Sequence, residues 1–455
     1  MSHRNGITEG VIWKQLLIFF FPILIGTFFQ QLYNTTDAVI VGNYVGKEAL
    51  AAVGATGNLI NLLVGFFVGL SSGATVIISQ FFGAKDHTKV SKAVHTSIAL
   101  SIVSGLIMMF VGILIAPSAL KMIGVPADIF NDSLLYTRIY FLGMIASLLY
   151  NMGAGILRAV GDSKRPLYFL ILSCFMNIFL DMFFVVVLDL AVLGVSLATV
   201  LSQIFSAALV MGSLLRTKED YKVTLSQTKF TNDILIKIVQ IGVPAGLQSV
   251  LYSISNLIIQ SNVNAFGTNT IAAWSAYGKI DGLFWMIMGA FGVAITTFVG
   301  QNFGAQKYER MRKSVKICIL MAISSAVLLS VLLHLFGGVV FRLFTDDTTV
   351  IEKGIEVMGY MTPYYFTYVC VEVLSGAIRG TGDSFKPMII TSLGICCLRF
   401  AWVLGVVPIF KTLKSVVLCY PVSWSATSII FIIYYLRGNW LKRRIQQLGY
   451  EPEVK

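Results

Sequence analysis

Apolar residues fall in long blocks separated by short polar joints. The blocks lie at 12–40, 50–79, 89–116, 129–156, 165–188 and 192–215, and then at 233–262, 271–300, 310–338, 353–378, 386–407 and 413–436. A helix crosses the hydrocarbon core of a bilayer, about 30 Å, with roughly 20 apolar residues, and every block reaches that length. The longest polar joint, around Arg216–Asp233, is too short to fold as a domain. The pattern predicts an all-α integral membrane protein of twelve transmembrane helices.

The second six blocks repeat the first six. S-Q-F-F-G-A at 79–84 returns as G-Q-N-F-G-A at 300–305, and G-I-L-R-A-V-G-D-S-K-R-P at 155–166 returns as G-A-I-R-G-T-G-D-S-F-K-P at 376–387. Gly46-x4-Ala51-Ala52 matches Gly267-x4-Ala272-Ala273, and all three pairs share one offset of 221 residues. With an even number of spans per half, both halves enter the membrane from the same side. The expected architecture is two six-helix bundles related by a parallel pseudo-two-fold repeat, a known transporter plan. Residues 1–215 form the first lobe, 216–232 a cytoplasmic linker, 233–437 the second lobe and 438–455 a cytoplasmic tail. Glycine spacing suits close helix packing: Gly65, Gly69 and Gly73 make a double G-x-x-x-G in the second span. Pro22 and Pro244 fall near matching places in spans one and seven, as kinks or as bending points.

Composition agrees. The chain is 56% hydrophobic and 12% charged, about half the charge of a typical soluble domain. A net charge of +12 could suggest nucleic acid, but the basic residues sit in short loops between spans, as the positive-inside rule expects. Of the 34 Lys and Arg, seven (Lys47, Lys121, Arg138, Arg342, Lys353, Lys411 and Lys414) fall on the side opposite the N-terminus, Lys279 and Arg399 lie within spans, and 25 share the N-terminal side. That asymmetry places both termini in the cytoplasm. The first block is long, contains Pro22 and lacks a small-residue cleavage site, so it reads as a span rather than a signal peptide. All six cysteines lie within spans and read as packing residues.

Ionised side chains inside the spans carry the chemistry. A carboxylate at mid-bilayer costs roughly 2.5–3.5 kcal/mol by insertion scales and needs a partner or a function. Asp181 lies deep in span five, with Asn177 one helical turn earlier on the same face. Asp37 lies near the outer end of span one and Thr199 in span six. Counted at 1.5 Å per residue, Asp181 is roughly 22 Å from the inner surface and Thr199 roughly 10 Å below the outer one, close to a common level. Asp37 comes to about 35 Å and needs tilt or the Pro22 bend to reach it. The repeat separates scaffold from function. The Gly-Asp-Ser motifs at 161–163 and 382–384 occur in both halves and read as turns and helix caps, with some room for a gating salt bridge. An offset of 221 instead maps Asn177 to Leu398, Asp181 to Trp402, Asp37 to Ile258 and Thr199 to Tyr420, so the shared fold does not require these groups. Two carboxylates, an amide oxygen and a hydroxyl are hard ligands suited to Na⁺, and the carboxylates alone suit H⁺. The competing reading is a polar network that joins neighbouring helices. The second half has its own intramembrane charges, Lys279, Asp281, Glu372 and Arg399. For these, structural neutralisation of Asp281 by Lys279 or Arg399 stays open beside substrate binding or secondary coupling. Trp274, Trp285, Met286 and Met288 are candidates for lining a substrate cavity, or simple packing.

Taken together, these motifs and Y-N-T-T-D at 33–37 make the chain resemble the multidrug and toxic compound extrusion (MATE) family over essentially its whole length. The resemblance implies a cation site in the first half at Asp37, Asn177, Asp181 and Thr199, and Na⁺- or H⁺-driven export of small organic, often cationic, compounds by rocking-type alternating access. Some members place coupling acids in the second half, where this chain offers only Asp281 and Glu372. The expected protein is a monomeric antiporter of the plasma membrane with lipids as neighbours, no cofactor beyond the coupling ion and no nucleic-acid partner. A lipid-linked oligosaccharide flippase of the same superfamily is the alternative. An enzyme is not expected, because the four histidines, His3, His87, His95 and His334, lie near span ends or in loops.

Overall fold

The computed structural model describes residues 6–447. Arg4 and the end of the predicted tail lie outside the described residues. The first six spans are α1 (Ile12–Ile40), α2 (Lys47–Gly83), α3 (His87–Met122), α4 (Phe130–Leu142 continuing as Met144–Ala159), α5 (Lys164–Asp181) and α6 (Ala191–Arg216). The next are α7 (Asn232–Asn264), α8 (Thr268–Gly304), α9 (Tyr308–Arg342), α10 (Thr348–Met361 continuing as Tyr365–Gly380), α11 (Phe385–Phe410, with breaks) and α12 (Leu413–Arg437). A short amphipathic helix, α13 (Trp440–Gln447), comes after them. Among the described residues ten helices are long and apolar enough to cross a membrane, and the α4 pair, bent by 50°, makes an eleventh. The twelfth, α10, is rich in tyrosine and is broken by one 3-10 turn at Thr362–Tyr364. Its break at Tyr364 is the repeat image of the α4 break at Gly143, so both halves interrupt the same span at the same position. The chain is a multi-pass membrane protein, with exposed Leu114, Leu335 and Leu436 on outward helix faces.

Two compact units emerge. One is Ile18–Gly246, and the other comprises Leu247 onward together with the chain up to Leu17. The boundaries fall inside α1 and α7, whereas the sequence reading divides the lobes at the 216–232 linker. That linker is folded onto the first unit. Tyr221 and Val223 are buried, Arg165 Nη2 donates to the Tyr221 hydroxyl at 2.9 Å, and the Thr224 N–H donates to His95 Nε2 at 2.9 Å. In the second unit, Arg310 gathers the chain before α1 by donating to the carbonyls of Ile7, Glu9 and Gly10 at 2.8–3.1 Å.

The repeated Gly-Asp-Ser motifs start α5 and α11. Gly161 and Gly382 take φ of +94° and +91°, which favours glycine. Asp162 accepts from the N–H groups of Lys164 and Arg165 at 3.0 Å, and Asp383 from that of Lys386 at 3.2 Å. These contacts satisfy otherwise orphaned helix-start donors. The six cysteines are free.

Three short π-helical segments interrupt the spans: Val41–Val45 after α1, Met182–Val187 after α5, and Ser392–Cys397 within α11. Each π turn admits an extra residue and rotates the remainder of the helix by about one helical step. Burial records the effect. In α5 the buried positions include Ser173, Cys174, Asn177 and Asp181, while in α11 they include Gly394, Ile395, Arg399 and Val403. The offset is thus 221 before the π segment of α11 and 222 after it. It returns to 221 once α5 has passed its own π segment, and Thr199 and Tyr420 are both buried. In span one, Asp37 and Val41 align with buried Ile259 and Val263, again at 222. The single offset read from sequence is corrected accordingly. Asp37 corresponds to Ile259 rather than Ile258, Asn177 to Arg399 rather than Leu398, and Asp181 to Val403 rather than Trp402.

Candidate cation site

Within the first unit, α1, α5 and α6 bring Asp37, Asn177, Asp181 and Thr199 into one cluster. Asn177 and Asp181 are completely buried, and Asp37 and Thr199 retain 6% and 2% exposure. The Asp37 carboxyl is acted on by the side chains of Asp181, Asn177 and Thr199. The π segment Met182–Val187 begins directly after Asp181 and Val41–Val45 begins one helical turn after Asp37, and such segments recur beside functional sites.

Hydrogen bonding is conspicuously incomplete. The Thr199 hydroxyl has one proton for two acceptors, the Val195 carbonyl at 2.9 Å and Asp37 Oδ2 at 3.4 Å, so it satisfies one of them at a time. Asp37 Oδ1, both oxygens of Asp181 and both polar atoms of Asn177 are buried without a hydrogen-bond partner. Buried polar atoms left unpaired cost about 1–3 kcal/mol each, and charged ones more. Among the described residues no basic side chain acts on either carboxyl. A structural network would close its own bonds. This one leaves carboxylate and amide oxygens unpaired within one buried cluster, which suits a bound cation.

The structure adds residues that the sequence reading left out. Tyr33 and Tyr136 surround Asp37, and Tyr136 lies at 6.3 Å from Tyr140, ring centroid to centroid. The Tyr33 hydroxyl and Gln203 Oε1 are also buried without partners. Their repeat counterparts are Ser255 for Tyr33, Val357 for Tyr136, Met361 for Tyr140 and Trp424 for Gln203. The second half keeps a hydroxyl at Ser255 and an indole N–H at Trp424, but no phenol or amide at any of these positions. The subtraction that singled out Asp37 would have found them too, had it been applied to tyrosine and glutamine.

The second-half charges do not form one cluster. Lys279 is exposed. Asp281 accepts from Tyr365 at 2.6 Å, Trp285 Nε1 at 2.6 Å and Tyr277 at 3.1 Å, and among the described residues neither Lys279 nor Arg399 makes an ion pair with it. Glu372 accepts from Tyr368 at 3.1 Å, and an added Cβ on Gly292 would lie 2.0 Å from its Oε1. Arg399, on α11, donates to Asn256 Oδ1 and Ser423 Oγ. Trp285 thus serves Asp281, and Met288 is fully buried packing.

A family model described as MatE matches residues 22–183 and 244–403. The chain belongs to the MatE family. The chain is 26% identical over 446 residues to "Probable multidrug resistance protein YoeA" of Bacillus subtilis, covering 96% of each. It is 24% identical over 460 residues to "Probable multidrug resistance protein NorM" of Thermotoga maritima, again covering 96% of each. Among solved structures, it is similar in fold to a MATE protein crystallised in a straight conformation, with a TM-score of 0.89 at 23% identity and 99% of each chain covered. It also matches a MOP superfamily transporter from Pyrococcus furiosus, with a TM-score of 0.89 at 22% identity over 99% of this chain and 100% of that one. The MatE fold therefore extends over the whole described chain, and the cluster at Asp37 and Asp181 lies within the first matched segment.

Proposed function

We propose that this MatE protein is a cation-coupled antiporter that exports small organic, mainly cationic, compounds across the plasma membrane, with both termini in the cytoplasm. The observation that carries the reading is the buried two-carboxylate cluster, which has oxygen atoms to spare and no basic neighbour. The names of the relatives, multidrug resistance proteins, support drug-like substrates. They do not favour the oligosaccharide flippase.

In this reading Na⁺ or H⁺ arrives from outside and binds between Asp37 and Asp181, with Asn177 and Thr199 completing the oxygen shell. Its charge offsets the cost of burying two carboxylates, and each charge that returns inward contributes about 2.3 kcal/mol per 100 mV. Coupling arises when ion and substrate prefer different states of a rocking, alternating-access cycle. The prolines inside α1 and α7 and the π segment beside Asp37 are where bending would be absorbed.

The test is transport of a fluorescent organic cation in proteoliposomes with an Na⁺ gradient or an H⁺ gradient imposed separately. Export driven by at least one is expected, and export indifferent to both would overturn the reading. A milder variant probes the shell. Thr199→Val keeps the shape but removes one oxygen, and the cation concentration for half-maximal export is expected to rise about tenfold, as for loss of about 1.4 kcal/mol. An unchanged concentration dependence would remove Thr199 from the shell.

A further inference from the structure

The corrected register shows what the second unit holds where the first has its acid cluster. Asp37 and Asp181 are replaced by buried Ile259 and Val403, Thr199 by Tyr420, and Asn177 by Arg399. Arg399 is only 2% exposed. Its Nη1 donates to Asn256 Oδ1 at 3.1 Å, its Nε donates to Ser423 Oγ at 3.1 Å, and its guanidinium carbon lies 4.1 Å from the centre of the Tyr420 ring. The remaining nitrogen, Nη2, is buried without a partner. An amide oxygen, a hydroxyl oxygen and an aromatic face are cation-recognising groups. They come from α7 and α12 and enclose Arg399 of α11, three helices that are the repeat images of those that build the first cluster.

We propose that Arg399 is a tethered cation. Its guanidinium takes, in the second unit, the place that a dissociable monovalent cation takes in the first, so only the first unit exchanges an ion. The inference rests on reading the first cluster as a cation site.

Charge balance supports it. The first cluster has two carboxyls and no base, and it needs a mobile cation when both are ionised. In the second unit the positive charge of Arg399 is matched by the negative charge of Asp281, which lies near enough for Arg399 to act on it without ion-pair contact. The three donors to Asp281, Tyr277, Trp285 and Tyr365, are all neutral, so they orient its charge without cancelling it. Removing the guanidinium leaves a buried carboxylate uncompensated, and breaking one side of a buried charge balance is strongly destabilising. The site so created has the chemistry to accept a small planar cation.

The experiment compares thermal unfolding of the purified full-length protein, Arg399→Ala, Asp281→Asn and the double variant, each with and without low millimolar guanidinium or the same amount of urea, its neutral analogue. Arg399→Ala is expected to lower Tm by about 4 °C or more. Guanidinium, but not urea, should restore part of the loss. Adding Asp281→Asn should restore stability and abolish the guanidinium effect. Equal responses to guanidinium and urea, or additive losses in the double variant, would overturn the proposal. Should Arg399→Ala fail to accumulate, the comparison is read as membrane yield: recovery on adding Asp281→Asn supports it, and no recovery overturns it. The series is repeated with Asp37→Asn and Asp181→Asn in place. Undiminished export by those two variants would count against the first-unit reading, whereas loss of guanidinium selectivity counts against Arg399 alone.

Discussion

Asp181→Asn is expected to cut gradient-driven export at least tenfold while leaving the protein folded and in the membrane, and Asp37→Asn to do the same. Asparagine has nearly the shape of aspartate, so packing in a fully buried position is conserved. What changes is charge. A unit charge pair at 4 Å contributes about 4 kcal/mol at an effective dielectric of 20, roughly a thousandfold in cation affinity. The amide oxygen can still coordinate, which returns part of that, so a loss of at least tenfold in driven export is expected. Counterflow of substrate without an ion gradient should persist, because the substrate's own contacts are untouched. Asp132→Asn, an exposed acid in the first turn of α4, serves as the control and should export at the parental rate. The measurement is initial export rate in proteoliposomes at matched protein content. Parental rates in both Asp37→Asn and Asp181→Asn would end the coupling proposal.

Gly69→Val and Gly73→Val prevent the first unit from folding. An added Cβ on Gly69 would lie 2.3 Å from the Gly246 nitrogen, and one on Gly73 would lie 2.3 Å from the Ile238 carbonyl oxygen. Gly242 and Gly246 on α7 form a second G-x-x-x-G, which meets the one on α2. Each side lets the other backbone approach, as small residues do in membrane helix pairs. Overpacking commonly costs 1–3 kcal/mol when side chains can move aside. Here the clash is with backbone, which cannot yield without separating the helices, so a loss above about 4 kcal/mol is expected. The readout is the monodisperse yield on size exclusion. Gly54, in the same helix, has nothing within 4 Å of an added Cβ. Gly54→Ala should fold normally, with a gain of about 0.5–1 kcal/mol from helix propensity. A Gly69→Val protein as abundant and as stable as Gly54→Ala would show that the close approach is not required.

Much of this was legible before any coordinates. The apolar blocks mark the spans because crossing a bilayer demands a run of about 20 apolar residues, a requirement that each segment meets by itself. The duplicated G-x-x-R-x-x-G-D-S motif exposes the repeat. Asp37, Asn177, Asp181 and Thr199 stand out because a carboxylate in a span is costly and because their images are not acids. Tyr33, Tyr136 and Gln203 escaped notice because a tyrosine or glutamine in a span costs far less than a carboxylate and is common in plain packing.

The amino-acid sequence alone determined the number of spans, their duplication and the identity of the intramembrane acids, since all of these depend on residue type and chain distance. Only the tertiary structure decided which side chains meet. Asp37 and Thr199 are 162 residues apart and come together where the π segment after α1 packs against α6. The facing of α11 was decided by a π turn, because one extra residue rotates everything after it by about a hundred degrees. That rotation, invisible to a fixed offset, is what turns Arg399 rather than Leu398 into the position of Asn177.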